Sequence, residues 1–302
     1  MLIEIVNLNK SYRGGIQALQ DVNLKIDSGM FGLLGPNGAG KSTLMKILAT
    51  LEIPSSGNIK IDQLDLTLQR KQVRASLGYL PQFFGVYPQM SGYEFLYFIA
   101  QLNGVPRKKI HSRVMETLED VALANARDRK VKTYSGGMVR RLGIAQALIH
   151  DPKLLIVDEP TVGLDPEERI RFRNLLSTIG KNKVIILSTH IVGDISSTCD
   201  DLAILSQGKI VYWGSPATLI QKAKSKSWVV ECPEEAYSEI AAHMQIISTI
   251  PSSGMLQMRV VGEPVRGFHF APVKANLEDA YMNFMEEQTG ERVDEDMLQE
   301  AK

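Results

Sequence analysis

The sequence is poor in cysteine and has no excess of either charge sign. Its 302 residues include only Cys199 and Cys232, whose spacing suits neither a disulfide framework nor a metal site. The 34 basic residues are balanced by 34 acidic ones, with no long run of like charge. This balance argues against a nucleic-acid partner and against direct insertion into anionic lipid.

Long apolar stretches are also missing. The longest runs, LLIV before Asp158 and VIIL after Lys183, fall well short of the roughly 18 residues that cross a bilayer. The first residues, MLIEIVNLNKSY, alternate like a strand and lack the apolar core of a secretion signal. We therefore expect a globular chain in the reducing cytoplasm, with enough apolar residues to fill a core.

What the sequence does contain is an alternation of strand and helix patterns. The apolar segments MFGLLG, KLLIVDEP and KVIILSTH predict buried strands of a mostly parallel sheet, preceded by an antiparallel β part. Residues 88–150 predict an inserted helical subdomain that opens on a capping box, Ser91-x-x-Glu94. We predict one domain over 1–215 and a small α+β extension over 216–302, in which NLEDAYMNFM is a helix and the acidic last dozen residues are frayed.

A phosphate-binding loop is the most specific motif. The segment GPNGAGKST fits G-x-x-x-x-G-K-[ST] and stands between a predicted strand and a predicted helix, the context that this motif requires. Backbone N–H groups of such a loop wrap phosphates, while Lys41 reaches their oxygens and Ser42 can hold Mg²⁺. The flanks disfavour the alternative of a glycine-rich turn with an exposed lysine. The predicted nucleotide-binding residues are Gly35, Pro36, Asn37, Gly38, Ala39, Gly40, Lys41, Ser42 and Thr43.

Carboxylates and one histidine follow two later strands. Asp158 and Glu159 end the strand LLIVDE, where one carboxylate can serve the metal and the other can polarise a water. His190 ends the next strand, although a lone histidine at such a place is more often structural. Ser135, Gly136 and Gly137 open a helix and offer a hydroxyl and N–H groups to an anion, without a lysine of their own.

Taken in order, these motifs resemble the nucleotide-binding subunit of an ATP-binding cassette (ABC) transporter. The phosphate loop, Gln82 at a strand end, Tyr134-Ser-Gly-Gly-Met138, LLIVDEP, Gly163-Leu-Asp165 and His190 carry the resemblance over about residues 1–215. The resemblance implies a P-loop NTPase fold and the hydrolysis of ATP with Mg²⁺. It also implies a place on the cytoplasmic face of the membrane, where such a subunit is held by transmembrane permease subunits.

The resemblance assigns roles to single residues. Tyr12 would stack on adenine, with a core aromatic on a strand as the alternative. Gln82 would contact Mg²⁺ or the attacking water, and Asp158 would hold Mg²⁺ through water. Glu159 would be the general base, and His190 would contact the γ-phosphate, so that Glu159, His190, Lys41 and Gln82 form the predicted catalytic set.

Further roles implied by the resemblance concern a second copy of the cassette. Ser135, Gly136 and Gly137 would close the ATP bound to the opposite subunit, so two cassettes would meet head to tail with two ATP molecules between them. Asp165 would lie at the interface between the copies. ATP would then hold the dimer together, and hydrolysis would release it.

Two positions depart from the family's commonest pattern, which has Leu before the serine and Gln after the glycines. Here these positions are Tyr134 and Met138. Together with the carboxyl-terminal extension, they resemble export-type cassettes of drug, antibiotic and polysaccharide exporters. An importer subunit and a soluble ABC ATPase outside transport are the alternatives. Phe83, Phe84, Val86 and Tyr87 would either receive the membrane subunit or simply pack within the helical subdomain.

Overall fold

The computed structural model describes residues 1–27, 29–252 and 254–289 of the chain. They form two compact units: one contains Met1–Thr189 and Thr198–Trp213, and the other contains His190–Ser197 and the chain from Gly214 onward. Within the described ranges, no helix is long and apolar enough to cross a membrane. The predicted domain bounds stay predictions, and the predicted frayed end lies outside the described residues.

The first unit alternates strands and helices along the chain. Its strands are β1 (Ile3–Ser11), β2 (Gln17–Ile26), β3 (Met30–Leu34), β4 (Ser56–Ile61), β5 (Leu64–Asp65), β6 (Leu77–Leu80), β7 (Leu154–Asp158), β8 (Val184–Thr189), β9 (Asp201–Ser206) and β10 (Lys209–Gly214). Its helices are α1 (Lys41–Leu48), α2 (Arg70–Ala75), α3 (Gly92–Leu102), α4 (Arg107–Asp120), α5 (Gly136–Leu148) and α6 (Pro166–Ile179).

A six-stranded sheet in the order β10-β9-β3-β8-β7-β6 forms the centre of this unit. β3 is parallel to β8 and β9, and β7 is parallel to β6 and β8. Every residue of β3, β7 and β8 is buried, which explains their unbroken apolar sequence, since both faces of a parallel sheet are covered. The predicted mostly parallel sheet is confirmed, and the carboxyl ends of its strands share one edge.

The antiparallel part is a separate sheet in the order β2-β1-β4-β5. The sequence predicts a short hairpin around residues 55–61; β4 does form a short antiparallel hairpin with the two-residue β5, but its long partner is β1. Burial of apolar side chains explains the difference, because Ile3 and Ile5 on β1 enter the same core cluster as Ile59 and Ile61. The predicted antiparallel part is confirmed, with a pairing that local sequence does not show.

The inserted helices α3, α4 and α5 pack on one another. Both bonds of the predicted capping box are present, since Ser91 Oγ accepts from Glu94 N at 3.1 Å and Glu94 Oε2 accepts from Ser91 N at 2.7 Å. The apolar stripe of α4, formed by Ile110, Val114 and Leu118, is fully buried. This block carries the start of α5, where the glycine pair lies.

The second unit contains the described part of the predicted extension together with His190–Ser197, and it combines helices with an antiparallel sheet. Its antiparallel sheet has the order β12-β13-β11-β14. On the last helix, Asp279 is completely buried and forms a two-bond ion pair with Arg259 at 2.8 and 2.6 Å. The elements are α7 (Val192–Ser196), α8 (Pro216–Lys222), β11 (Ser227–Pro233), α9 (Tyr237–His243), β12 (Gln245–Ser252), β13 (Met255–Val261), β14 (Phe270–Pro272) and α10 (Leu277–Thr289).

Candidate active site

The loop between β3 and α1 has the geometry of a phosphate cradle. Gly40, the N-cap of α1, has φ 106°, a value that favours glycine, and a Cβ there would overlap the Ala18 carbonyl oxygen. Asn37 and Gly38 at the tip of the loop are exposed. The loop leads into the N-terminus of α1, where backbone N–H groups and the helix dipole favour an anion.

Lys41 lies buried beneath this loop, with 4% of its surface exposed. Its Nζ donates to the carbonyl oxygens of Gly35 at 2.7 Å and Pro36 at 3.1 Å, and it lies 3.2 Å from Glu159 Oε1. Burial lowers the pKa of Lys41 below its ordinary value, although the Glu159 carboxylate opposes this shift. A buried ammonium of this kind gains from a ligand that brings negative charge, as a polyphosphate does.

Two of the three residues predicted for the metal, Ser42 and Asp158, lie close together near Lys41, while the metal contact of Gln82 stays a prediction. Ser42 Oγ lies 3.4 Å from Asp158 Oδ1, and Asp158 also accepts a hydrogen bond from Ser188 Oγ. Burial raises the pKa of the Asp158 carboxyl above its ordinary value. No group of three His, Cys, Asp or Glu side chains suited to a metal occurs among the described residues. One hydroxyl and one carboxylate fit Mg²⁺, which takes few protein oxygens and completes its shell with water and substrate phosphate.

Glu159 occupies an unusual backbone conformation. Its φ is 45°, in the left-handed region that a residue with a side chain adopts at a cost. Its backbone N–H donates to Ser188, with the carbonyl oxygen at 3.0 Å and Oγ at 3.2 Å. Ser188 on β8 therefore contacts both Asp158, the last residue of β7, and Glu159, which follows it, and strained, buried backbone of this kind is typical of active sites.

Gln82 and Tyr12 are both accessible. Gln82 is half-buried, two residues after β6, and its carbonyl oxygen accepts from Arg140 Nη1 on α5 at 2.6 Å. Tyr12 is 38% exposed with Lys10 Nζ 4.9 Å from its ring centroid, so it is not the core aromatic of the alternative interpretation. Its stacking on adenine stays a prediction.

The residues predicted to face a second cassette begin two helices. Ser135 is the N-cap of α5, with Oγ accepting from Met138 N at 3.2 Å, and Asp165 is the N-cap of α6, with Oδ1 accepting from Glu168 N at 2.8 Å. Ser135, Gly136 and Asp165 are exposed, whereas Gly137 is buried.

The remaining predicted residue, His190, belongs to the second unit. It follows β8 directly, is 7% exposed, and begins the segment that contains α7. Its contact with a γ-phosphate stays a prediction.

The supporting contacts of three residues were not predicted from the sequence. Ser188 could have been found from its place at the carboxyl end of a buried strand. The contact of Arg140 could not have been predicted, because the sequence around an arginine on a helix does not indicate which distant carbonyl group it will bind. Tyr134 has a structural explanation, since its hydroxyl donates to the Ala126 carbonyl at 2.9 Å and fills the space beside Gly92.

The match to known proteins agrees with this geometry. A family profile described as "ABC transporter" matches residues 19–162. The uncharacterized ABC transporter ATP-binding protein YxlF of Bacillus subtilis is 37% identical over 235 residues, which are 78% of this chain and 78% of the relative. The chain belongs to the ABC transporter ATP-binding proteins.

Another relative is similar over nearly the whole length, and a solved structure is similar over most of it. The Nod factor export ATP-binding protein I of Rhizobium meliloti is 32% identical over 292 residues, covering 93% of this chain and 87% of the relative. The solved structure of cbiO1 from Clostridium perfringens, part of the ABC transporter complex cbiONQ, has a TM-score of 0.65 at 30% identity and covers 73% of this chain and 93% of that one.

A dimeric ATP-binding cassette solved in a post-hydrolysis state with ADP and Pi has a TM-score of 0.64 at 25% identity, covering 70% of this chain and 98% of that one. As an ABC ATPase, the chain binds and hydrolyses ATP as a subunit of a transporter. The cassette solved with ADP and Pi is dimeric, and cbiO1 is part of an ABC transporter complex.

Proposed function

We propose that this ABC ATPase powers the export of a substrate through a separately encoded membrane permease. The observation that carries the proposal is the meeting of Lys41, Ser42, Asp158 and Glu159 at one edge of the parallel sheet. This proximity supports the proposal that these residues bind the phosphates, hold the metal and supply the base for ATP hydrolysis.

In the proposed reaction, Lys41 holds the phosphate oxygens, and Ser42 and Asp158 hold Mg²⁺. Mg²⁺, when bound, neutralises negative charge on the phosphates. Once phosphate competes for Lys41, the ion pair between Lys41 and Glu159 weakens, and the Glu159 carboxylate accepts a proton from the attacking water. The left-handed backbone at Glu159 and its bonds to Ser188 fix where that carboxylate stands.

We propose further that ATP closes two cassettes head to tail. Ser135 and Gly136 are exposed at the N-terminus of α5 and offer a hydroxyl, N–H groups and a helix dipole to an anion. The second copy, identical or paralogous, supplies the phosphate loop that these groups need. Hydrolysis removes the γ-phosphate and with it the bonds from Ser135, so the pair reopens.

Support for export comes from the relatives named as Nod factor exporters, because their similarity extends through the carboxyl-terminal unit. Support for the permease surface comes from Phe83 and Tyr87, which are 86% and 55% exposed. Phe83 also lines the edge of an open cleft of about 640 Å³ together with Phe84 and Arg140. We propose that the permease's cytoplasmic contact is at Phe83 and Tyr87, on the inner face of the membrane.

The test is copurification followed by transport. The tagged chain is recovered from solubilised membranes, its membrane partner is identified, and the complex is reconstituted in vesicles to measure the direction of ATP-dependent transport. Phe83→Ser should lose the partner while keeping ATP binding. Leu68→Ser, which removes another exposed apolar side chain (83% exposed), serves as the matched control. Absence of any membrane partner, or transport toward the ATP-containing side, would contradict the proposal.

A further inference from the structure

The two glycines at the start of α5 have different surroundings. Gly136 is exposed, and a Cβ at this position would meet nothing within 4 Å. Gly137 is buried, and a Cβ there would lie 2.6 Å from Cδ of Glu168 and overlap its Oε2. The absent side chain of Gly137 therefore makes room for a carboxylate from α6. Gly136 shows no such need.

Glu168 has an unusual set of partners for its position. It is the third residue of α6, and its backbone N–H donates to the N-cap Asp165, as in a capping box. In the box of α3, Glu94 turns back to the N-cap N–H of Ser91. Glu168 instead directs Oε1 to Arg171 Nη1 at 2.8 Å and Oε2 toward Gly137 on α5.

Charge favours this placement. The first turn of a helix attracts a carboxylate, and Glu168 lies in the first turn of α6 and against the first turn of α5 at once. Arg141 of α5 lies behind it, with Nε 3.9 Å from Oε2, and this Nε is buried without a hydrogen bond. The Glu168 side chain is only 15% exposed, whereas the neighbouring Glu167 is 74% exposed and forms an ion pair with the exposed Arg171.

We infer that Glu168 is a positioning residue that ties the start of α5 to the start of α6. One side chain thereby fixes Ser135 and Gly136 relative to Asp165, so that both helix ends meet a second copy of the chain as a single surface. The inference rests on the head-to-tail pairing proposed above. It also gives Gly137 a structural reason to be glycine, separate from any approach of phosphate to its backbone.

A double-mutant cycle tests the contact itself. Gly137→Ala should lower the Tm of the otherwise unchanged protein by roughly 3–10 °C, because the new methyl group overpacks against Glu168. In a Glu168→Ala background the same change should be nearly neutral or stabilising, since alanine favours a helix over glycine. Gly136→Ala, the matched control, should shift the Tm equally in both backgrounds. An equal loss for Gly137→Ala in both backgrounds would overturn the inference.

ATP-driven dimerisation tests the positioning role. In a Glu159→Gln background, sedimentation should show that Glu168→Ala raises the ATP concentration for half-maximal dimerisation about tenfold, with fluorescent-ATP binding to the monomer unchanged. Glu168→Gln should dimerise at an ATP concentration close to that of the parent, because glutamine keeps the size and shape of the glutamate side chain. Glu167→Ala removes the same charge from the same turn and should leave dimerisation unaffected.

Equal effects of Glu168→Ala and Glu167→Ala would refute the positioning role. If the parent formed no ATP-dependent dimer, the proposed pairing would fail and the role of Glu168 in it would fail too. The Tm cycle would still report on the contact between Glu168 and Gly137, so the two failures are distinguishable.

Discussion

The substitution Glu159→Gln removes a base and breaks a buried ion pair at the same time. Lys41 Nζ and Glu159 Oε1 are 3.2 Å apart, with side chains 4% and 7% exposed. Removing one partner of a buried pair costs about 3–5 kcal/mol, because the other charge stays buried and uncompensated. Lys41 keeps its two bonds to loop carbonyls, so we expect the lower end, about 3 kcal/mol, in the ligand-free protein.

ATP should restore what this substitution removes. In the variant, the ATP phosphates supply Lys41 with the negative charge that the Glu159 carboxylate supplies in the parent. The same 3 kcal/mol should therefore appear as a gain of roughly 100-fold in ATP affinity. Steady turnover should fall by about 10²- to 10⁴-fold, since general-base catalysis typically contributes that much. The variant is therefore expected to be less stable without ATP, tightly bound to ATP, and inactive.

Urea unfolding with and without ATP and Mg²⁺, combined with a turnover assay, measures all three effects. Glu167→Gln is the matched control, because it neutralises an exposed glutamate and should change neither stability nor ATP affinity measurably. A ligand-free Glu159→Gln protein as stable as the parent would refute the ion-pair reasoning. Undiminished turnover would remove Glu159 as the base.

Two further predictions concern stability. Burial lowers the pKa of His150 below its ordinary 6.5, and His150 Nε2 donates to the Leu77 carbonyl at 3.0 Å. The neutral ring therefore stabilises the fold above pH 6.5, and this contribution is lost as the pH falls through the lowered pKa. In urea unfolding, the free energy by which the parent exceeds His150→Gln in stability should therefore shrink as the pH falls from about 7.5 to about 5.5. A constant difference would count against this role of His150. Arg259→Met removes the ion-pair partner of the buried Asp279 and should lower the free energy of unfolding of the second unit by about 3–5 kcal/mol. Trp228 fluorescence during urea unfolding measures this loss. The exposed Arg266→Met is its control, and equal losses from the two would contradict the ion-pair explanation.

Local patterns account for what the sequence could predict. The capping box at Ser91 depends on residues within three positions of one another, so its spacing is visible in the chain. Unbroken apolar runs likewise identified β3, β7 and β8, because parallel strands covered on both faces carry no polar alternation.

Contacts between distant residues account for what was missed. The pairing of β4 with β1 is decided by shared burial in the core, and the support of Glu159 by Ser188 depends on two strands lying side by side. The same holds for the bond from Arg140 to Gln82 and for Glu168 against Gly137. No spacing within one element encodes these contacts, although the residue types are ordinary ones.

The most direct test of shared ATP sites mixes two inactive variants, Lys41→Ala and Ser135→Arg. A head-to-tail dimer of one copy of each has one intact site, built from the unchanged phosphate loop of one copy and the unchanged Ser135 of the other. With random pairing and independent sites, an equal mixture should recover about a quarter of the parent ATPase activity. Activity no higher than that of the two variants measured separately would contradict an ATP site shared between two copies.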